Sequence, residues 1–214
     1  KWSVYDYGTK ALCVIRWPNK IKPAVTDAVA MYCDITPTLV DIAGGEAPQI
    51  DGKSLLPVLN GKTSSHREHA YLIHQAGGYT QRAIRSKEYK LIWNPEQESD
   101  YYLRYLMEPT SRKFFAKVWQ EWLQEAKTNP AAQTQIDRVV KHPEFELYHT
   151  TKDPWELNNL AGNSKYAKKA KAMHAWLKEE MVKLDDHFST IDPKDAKRAN
   201  KGKPSNKDRP NKKK

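Results

Sequence analysis

A pair of short β-type segments on either side of a turn sequence with two glycines constrains the fold of this chain most. Residues 70–75 and residues 80–86 each have the composition of a strand, and Gly77 and Gly78 lie in the turn sequence between them. This spacing predicts a β-hairpin. A third strand-like segment, residues 89–94, extends the hairpin into an antiparallel sheet.

The region before the hairpin predicts one strand and one short helix. Residues 11–17 form a continuous apolar run that stops at Pro18, a pattern typical of a buried strand. Residues 35–43 predict a helix, with Asp34 as its N-cap and Gly44 in the left-handed position that ends many helices. The side chains expected to pack on this helix are Leu39, Val40 and Ile42.

Two longer helices and a further strand are predicted after the hairpin. Residues 112–127 and residues 165–184 carry apolar side chains at helical spacing, with Ser111 and Ser164 as their N-caps, and a strand is expected near residues 145–149. The apolar stripes consist of Phe115, Val118, Trp119, Trp122 and Ala126, and of Tyr166, Ala170, Met173, Leu177, Met181 and Leu184. The elements together predict an α/β portion followed by a small antiparallel sheet packed by helices.

The net charge of +10 is concentrated at one end of the chain. Residues 194–214 hold ten Lys or Arg and two Asp, so the remainder is nearly neutral. Because this tail has too little apolar surface to offset its ordering entropy, we expect it to be disordered. It would attract polyanions without sequence specificity, or merely solubilise the chain. No apolar run is long enough to predict a membrane span.

Several motifs occur in a fixed order and carry a family resemblance. They are Lys1-Trp2-Ser3-Val4-Tyr5-Asp6-Tyr7-Gly8, Trp17-Pro18, Asp34-Ile35-Thr36-Pro37-Thr38-Leu39, Asp51-Gly52-Lys53-Ser54, Gln81-Arg82-Ala83-Ile84-Arg85 with Tyr89-Lys90-Leu91-Ile92-Trp93-Asn94, and Glu146-Leu147-Tyr148 with Asp153-Pro154-Trp155-Glu156 and Asn158-Asn159-Leu160. The series resembles the formylglycine-dependent (type I) sulfatases over most of residues 1–185. The pair His74-Gln75 is most similar to the heparan N-sulfatase branch of that family.

The resemblance implies a fold and a division of the chain. It implies the C-terminal part only of an alkaline-phosphatase-like α/β sulfatase fold, because the chain opens inside the first motif. Residues 1–62 would be the end of the catalytic α/β domain, residues 63–188 a C-terminal subdomain, and residues 189–214 the basic tail. The missing N-terminal part of the same protein would be the principal partner of this chain.

The resemblance also implies a chemistry that these residues do not supply by themselves. The family nucleophile is a formylglycine made from a cysteine in a Cys-x-Pro-x-Arg sequence, and the sulfate lies beside a Ca²⁺ ion. Neither Cys13 nor Cys33 has that context or metal-ligand spacing, so no metal or cofactor is expected on this chain. We expect buried free thiols, and a Cys13–Cys33 bridge only if the two flanking elements are neighbours.

Three residues are the predicted site residues. Lys1 matches the family lysine that contacts the sulfate oxygens, although Asp6 and Lys10 replace the usual glutamate and arginine of its motif. His74 and Arg82 are predicted to bind the substrate at the cleft rim. The alternatives are a frayed, solvated chain end for Lys1, a local hydrogen bond for His74, and for Arg82 a side-chain stem that covers the sheet. Arg82 and Arg85 alternate to opposite faces.

Other polar and aromatic residues favour structural roles. His66 and His69 lack a third ligand and are expected at the surface, and the remaining histidines form no constellation. Trp119 and Trp122 could stack on sugar rings, but helical spacing favours a core stripe. The segment from Asp153 to Asn159 is expected to form a turn in which Asx side chains bond the local backbone.

The resulting functional hypothesis is a sulfatase fragment. The intact enzyme would hydrolyse sulfate esters or sulfamates, with sulfated glycans as its substrates, and the 214 residues alone would be inactive. The alternatives are a non-catalytic polyanion-binding module and a phosphate or phosphonate ester hydrolase of the same superfamily. By family resemblance the enzyme would be periplasmic or extracellular.

Overall fold

The computed structural model describes residues 3–46, 49–76, 79–96, 107 and 113–186. The chain divides into two compact units, Lys1–Glu180 and Met181–Lys214. Within the second unit the described residues are 181–186, where the Asp186 N–H donates to the Met181 carbonyl at 2.9 Å. No helix among the described residues has both the length and the apolar character needed to cross a bilayer.

The first unit is built around a four-stranded antiparallel sheet. Its strands lie in chain order: β1 (His69–Ala76), β2 (Tyr79–Ser86), β3 (Tyr89–Trp93) and β4 (Phe145–His149). Ala76 pairs with Tyr79, so β1 and β2 each extend one residue further toward the turn than predicted; Gly77 and Gly78 lie outside the described residues. The predicted hairpin, third strand and fourth strand are confirmed.

The helices are distributed before, within and after the sheet sequence. They are α1 (Asp6–Thr9), α2 (Ile35–Ile42), α3 (Leu56–Leu59), α4 (Lys113–Ala126), α5 (Pro130–Val140) and α6 (Ala167–Lys183). Short 3₁₀ turns, Tyr32–Asp34 and Ser164–Tyr166, precede α2 and α6. The predictions of α2, α4 and α6 are confirmed to within a few residues, whereas Asn163 rather than Ser164 caps the last helical segment by accepting from the Lys165 N–H at 3.0 Å.

The strand register separates the sheet into two faces. We call the first the Lys90 face; its residues are Leu72, His74, Gln81, Ala83, Arg85, Lys90, Ile92, Glu146 and Tyr148. The opposite face contains Leu91 and Leu147, both buried, and contacts α6 through ring pairs. Trp176 stacks on His69 at 5.2 Å between centroids, and His174 lies 4.8 Å from Phe145.

The first described residues cover the Lys90 face. Val4 is fully buried and packs with Ala83, Ile92 and Tyr148 in one hydrophobic cluster. Directly after it, the chain forms the single turn of α1, whose first N–H groups have no partner within the helix. The sheet thus lies between the N-terminal segment and the C-terminal helix.

The predicted strand over residues 11–17 is wrong. This stretch has no regular structure, and Leu12 and Val14 are 92% and 80% exposed. A buried strand requires a neighbouring backbone for its hydrogen bonds and a core for its side chains. The described residues supply neither to this stretch, so its apolar run remains on the surface.

The bounds and the C-terminal end of α2 follow the prediction, but its N-cap and the packing of one side chain do not. Gly44 has φ +72°, and the Gly45 N–H donates to the Val40 carbonyl at 3.0 Å, as expected for a glycine-ended helix. Leu39, predicted to pack, is 61% exposed. Asp34 does not cap α2 with its side chain, because that carboxylate is already bonded elsewhere.

Helix α5 was not predicted, although the sequence contains its signal. Asn129 accepts from the Ala131 N–H at 3.0 Å, and Pro130 occupies the first turn where a missing N–H costs nothing. Helices α4 and α5 share an apolar cluster of Met107, Trp119, Ala126 and Ile136. The core prediction is therefore confirmed for Trp119 and wrong for Trp122, which is 48% exposed.

Gly52 allows the loop before α3 to pass directly against the 3₁₀ turn. A Cβ atom there would overlap the Cys33 carbonyl oxygen and lie 3.0 Å from Pro37 Cδ. We expect Gly52→Ala to lower the free energy of unfolding by about 1–3 kcal/mol in urea titrations, as overpacking does. Gly162→Ala, where a Cβ meets nothing within 4 Å, is the control. Equal losses in both variants would contradict this close approach.

Candidate functional site

The residues that follow Lys1 run across the Lys90 face. Lys1 itself lies outside the described residues, which begin at Ser3. The backbone N–H of Val4 donates to Gln81 Oε1 at 3.4 Å. The described chain is therefore bonded to the sheet from Val4 onward, three residues after the predicted catalytic lysine.

Glu146 is the centre of a buried hydrogen-bond network on this face. It is only 2% exposed, and its Oε2 accepts from the Tyr5 hydroxyl at 2.7 Å and from the Tyr148 hydroxyl at 2.5 Å. Its Oε1 accepts from Asn94 Nδ2 at 2.7 Å. His142 Nδ1 lies 3.1 Å from the Tyr5 hydroxyl and 3.4 Å from Glu146 Oε1. Four side chains thus meet one carboxylate, and two of them, Tyr5 and Asn94, come from distant parts of the chain.

A second group, which we call the Lys90 cluster, consists of Asp6, Arg85, Lys90 and Glu156. The fully buried ammonium of Lys90 lies 2.5 Å from Asp6 Oδ1 and 2.7 Å from Glu156 Oε1. Arg85 Nε lies 3.4 Å from Asp6 Oδ1. The backbone N–H of Asp6, which has no partner within α1, donates to Glu156 Oε2 at 2.7 Å. The cluster pairs two cations with two carboxylates.

The carboxylates of these groups titrate differently. Burial alone would raise the pKa of Asp6, but the charges and hydrogen bonds of Lys90 and Arg85 outweigh it and hold this pKa below its ordinary value. Burial likewise opposes ionisation of Glu146, yet the hydrogen bonds and charge of His142, with the tyrosine hydroxyls, lower its pKa. At Glu156 burial prevails over Lys90, and the pKa is raised.

His74 and Arg82 are not brought together on one face. His74 lies on the Lys90 face opposite Gln81, and partial burial lowers its pKa, which favours the neutral ring. Arg82 points to the other face, is 3% exposed, and donates from Nη1 to the Gln81 carbonyl at 3.1 Å and the His74 carbonyl at 3.5 Å. Their substrate-binding roles stay predictions.

Asp34 organises a separate buried site that joins α2 to the loop before α3. Its carboxylate accepts from the Met31 and Lys53 N–H groups, each at 2.8 Å, and from Arg67 Nε at 2.9 Å. His66 Nε2 lies 3.1 Å from Asp34 Oδ2. The predicted surface position of His66 is therefore wrong, because the ring is buried as a partner of this carboxylate.

The remaining predictions divide into confirmed and incorrect ones. Asp153 accepts from the Leu157 N–H at 3.0 Å and the Asn158 N–H at 2.7 Å, as predicted for an Asx turn. Glu156 departs from that local pattern, since it has φ +54° and joins the Lys90 cluster. His69 lies on β1 with Nε2 3.3 Å from Glu180 Oε1.

The described residues do not form a site for the family's Ca²⁺ ion. Among them, no group of three His, Cys, Asp or Glu side chains is arranged to hold a metal. Cys13 and Cys33 are free, but Cys13 is exposed and Cys33 only half-buried, so the prediction of buried thiols is wrong. What the arrangement does chemically is hold the backbone after Lys1 by paired polar groups.

Lys90 and Glu146 lie in the family motifs, but no role was predicted for them, or for Tyr5 and Asp6. One signal was available: Lys90 sits between Tyr89 and Leu91 in a strand whose next residues are apolar. A charged residue in the middle of a short central strand indicates a buried partner, because an unpaired buried charge is too costly. The identity of the partners could not be read, since they are distant in sequence.

Comparisons with known proteins place the chain among sulfatases. The family model described as "N-sulphoglucosamine sulphohydrolase, C-terminal" matches residues 1–116. An ulvan-active sulfatase of Formosa agariphila is 31% identical over 207 residues, covering 89% of this chain and 37% of the relative. An N-acetylglucosamine-6-O-sulfatase of Bacteroides thetaiotaomicron is 28% identical over 197 residues, covering 87% of this chain and 27% of the relative.

A solved structure gives the same answer for the fold. BT4656 in complex with its substrate D-glucosamine-2-N,6-O-disulfate has a TM-score of 0.56 to this chain at 25% sequence identity, covering 84% of this chain and 29% of that one. The chain spans about a third of the length of the curated relatives it matches. The predicted sulfatase fold is confirmed, and since the family model covers more than half of its residues, the chain belongs to the sulfatase family described as N-sulphoglucosamine sulphohydrolase, C-terminal.

Proposed function

We propose that the protein containing this chain hydrolyses sulfate esters or sulfamates of sulfated glycans. Family membership supports the reaction class. The names of an ulvan-active sulfatase and an N-acetylglucosamine-6-O-sulfatase, and the disulfated glucosamine bound to BT4656, support the substrate class. A periplasmic or extracellular location, by family resemblance, belongs to the same proposal.

The contribution of this chain is to present Lys1 to the sulfate group. An ammonium held near the non-bridging oxygens stabilises the charge of the transition state, and it does so best when its position is fixed before the reaction. The observation that carries the proposal is the anchoring of Tyr5 and Asp6, four and five residues after Lys1, to two buried groups of the sheet.

The other predicted site residues have subsidiary roles. His74, whose neutral ring is favoured by partial burial, would exchange hydrogen bonds with a sugar hydroxyl, and Arg82 would support the neighbouring strand from its other face. The formylglycine and Ca²⁺ typical of the family would supply the nucleophile and charge neutralisation from outside these residues. The 214 residues alone are accordingly expected to release no sulfate from an aryl sulfate.

Substitution of Lys1 tests this proposal. In the sulfatase that contains this chain, we expect Lys1→Ala to lower kcat/KM for sulfate release from a sulfated glucosamine disaccharide by about 10²–10³-fold. Lys62→Ala, at an exposed loop lysine, is the matched control and should behave as wild type. Full activity of Lys1→Ala would contradict the role, and faster cleavage of the corresponding phosphate ester would favour a phosphohydrolase.

The basic tail favours a second candidate function, binding to polyanions. Residues 194–214 hold ten Lys or Arg, and such a segment binds sulfated glycans or nucleic acid in a salt-dependent way. Heparin affinity that disappears when these residues are deleted would assign the binding to the tail. Heparin affinity that survives the deletion would indicate a folded, non-catalytic binding site.

A further inference from the structure

We propose that Lys90 and Glu146 are positioning residues of the sulfatase reaction. From one face of the sheet they hold Asp6 and Tyr5, and through these two residues they fix the backbone that leads to Lys1. The inference rests on the proposed function and deepens it by naming what sets the position of its predicted catalytic lysine.

Glu146 and Lys90 are two anchors that bond to consecutive residues of the N-terminal segment. Tyr5 is bonded to Glu146 at 2.7 Å, and Asp6 to Lys90 at 2.5 Å. A single anchor would leave the preceding chain free to pivot about it, whereas two anchors at adjacent residues fix its direction as well. Tyr5 is extended, with φ −65° and ψ 156°, so the chain leaves the start of α1 toward Val4 in an extended conformation.

The segment is also folded tightly on itself. A Cβ atom at Gly8 would overlap the Ser3 carbonyl oxygen and lie 3.0 Å from Ser3 Oγ. Residue 3 therefore lies against residue 8, and the Gly8 N–H donates to the Tyr5 carbonyl at 2.8 Å. Ser3 is two residues from Lys1. Two fully extended residues span about 7 Å, so the Cα atom of Lys1 lies no further than that from the Cα atom of Ser3.

The energetics of Lys90 indicate a role beyond stability. Burying an ammonium with two carboxylates carries a desolvation cost that its ion pairs at best balance, and apolar residues of similar volume often stabilise a protein as well or better. An ion cluster instead restricts geometry, because its charged groups must occupy particular positions to remain paired. Lys90 imposes such positions on Asp6 and on Glu156, which also accepts the Asp6 N–H.

Glu146 imposes a second set of positions. Its two oxygens are bonded to Asn94 and to the hydroxyls of Tyr5 and Tyr148, and Asn94 Oδ1 in turn accepts from Gln81 Nε2 at 2.9 Å. The network thereby connects three parts of the sheet to the hydroxyl of Tyr5 in the N-terminal segment. These parts are β2, the residue that follows β3, and β4. A shift of Tyr5 would take its hydroxyl away from the buried Glu146 carboxylate, and losing a hydrogen bond to a buried charged group is costly.

Two gentle substitutions test the inference in the sulfatase that contains this chain. Tyr5→Phe removes one hydroxyl, and Asp6→Asn removes one charge at nearly constant shape. We expect each to lower kcat by about 10-fold or more with KM changed less than about 2-fold, because a displaced lysine loses contacts made mainly in the transition state. His69→Gln, which breaks the pair with Glu180 on the opposite face, should leave kcat unchanged.

A second measurement does not depend on activity. In the 214-residue chain, Tyr5→Phe and Asp6→Asn should accelerate amide hydrogen exchange at residues 4–10 while leaving β2 and β3 protected. Unchanged exchange in both variants would overturn the positioning role. Faster exchange with wild-type kcat would overturn its link to catalysis. A wild-type sulfatase that releases no sulfate would instead overturn the proposed function, with exchange still deciding whether Lys90 and Glu146 hold the segment.

Discussion

Replacing Lys90 by methionine is expected to lower the free energy of unfolding by about 3–5 kcal/mol, the usual cost of removing one partner from a buried ion pair. Methionine fills much of the volume of the lysine stem but carries no charge. Asp6 and Glu156 would then lie close together in the interior without their shared cation. Urea denaturation of the 214-residue chain, followed by tryptophan fluorescence, measures this loss.

Lys87→Met is the matched control for that substitution. Lys87 lies next to the same strands and pairs with Asp27 at 2.8 Å, but both side chains are largely exposed. Because exposed ion pairs contribute little to stability, we expect Lys87→Met to lower the free energy of unfolding by less than about 1 kcal/mol. Adding Glu156→Gln to Lys90→Met should recover part of the stability, because it removes one of the two carboxylates that have lost the Lys90 ammonium. Similar losses for Lys87→Met and Lys90→Met would show that Lys90 is not buried in an ion cluster.

Replacing Asp34 by alanine should also lower the free energy of unfolding by about 3–5 kcal/mol. The substitution removes the carboxylate that accepts hydrogen bonds from the Arg67 guanidinium and from two backbone N–H groups. Asp41→Ala is the control, because Asp41 lies on the neighbouring helix α2 and bonds Ser54 at 2.7 Å on the surface. Equal losses in the two variants would contradict the central position of Asp34.

The pH dependence of stability provides a second signature of Asp34. Burial opposes its ionisation, but the hydrogen bond from Arg67 and those from the Lys53 and Met31 N–H groups outweigh burial and hold its pKa far below the ordinary value. A lowered pKa in the folded state gives stabilisation that is complete above about pH 4–5 and is lost as the pH falls below that. Asp34→Asn should therefore be less stable than wild type at pH 7 and show a shallower decline in acid.

The elements predicted correctly from the sequence are those determined by local patterns. The β1–β2 hairpin follows from two strand-like segments and a two-glycine turn, and helix α4 from its apolar spacing. The apolar run at residues 11–17 failed because a buried strand is defined by its neighbours, and the described residues supply none to that run. Helix α5 was missed although Asn129 and Pro130 mark its start.

The candidate site was predictable only in outline. The sequence identified the motif containing Tyr5 and Asp6 by its resemblance to sulfatases, but not what these side chains bind. Their partners Glu146 and Lys90 lie 141 and 84 positions away along the chain. Local patterns carry no information about such pairings, since the sheet alone determines which distant groups share a face. His66 was misjudged for the same reason, as its partner Asp34 is 32 positions away.

A double-mutant cycle between Asp6 and Lys90 tests the central claim most directly, namely that the Lys90 face of the sheet holds the segment after Lys1. The free energies of unfolding of wild type, Asp6→Asn, Lys90→Met and the double variant give the coupling between the two side chains. For groups in direct contact inside one network, we predict a coupling energy of about 1–3 kcal/mol. A coupling energy within about 0.3 kcal/mol of zero, the value expected for independent sites, would contradict the anchoring of this segment to the sheet.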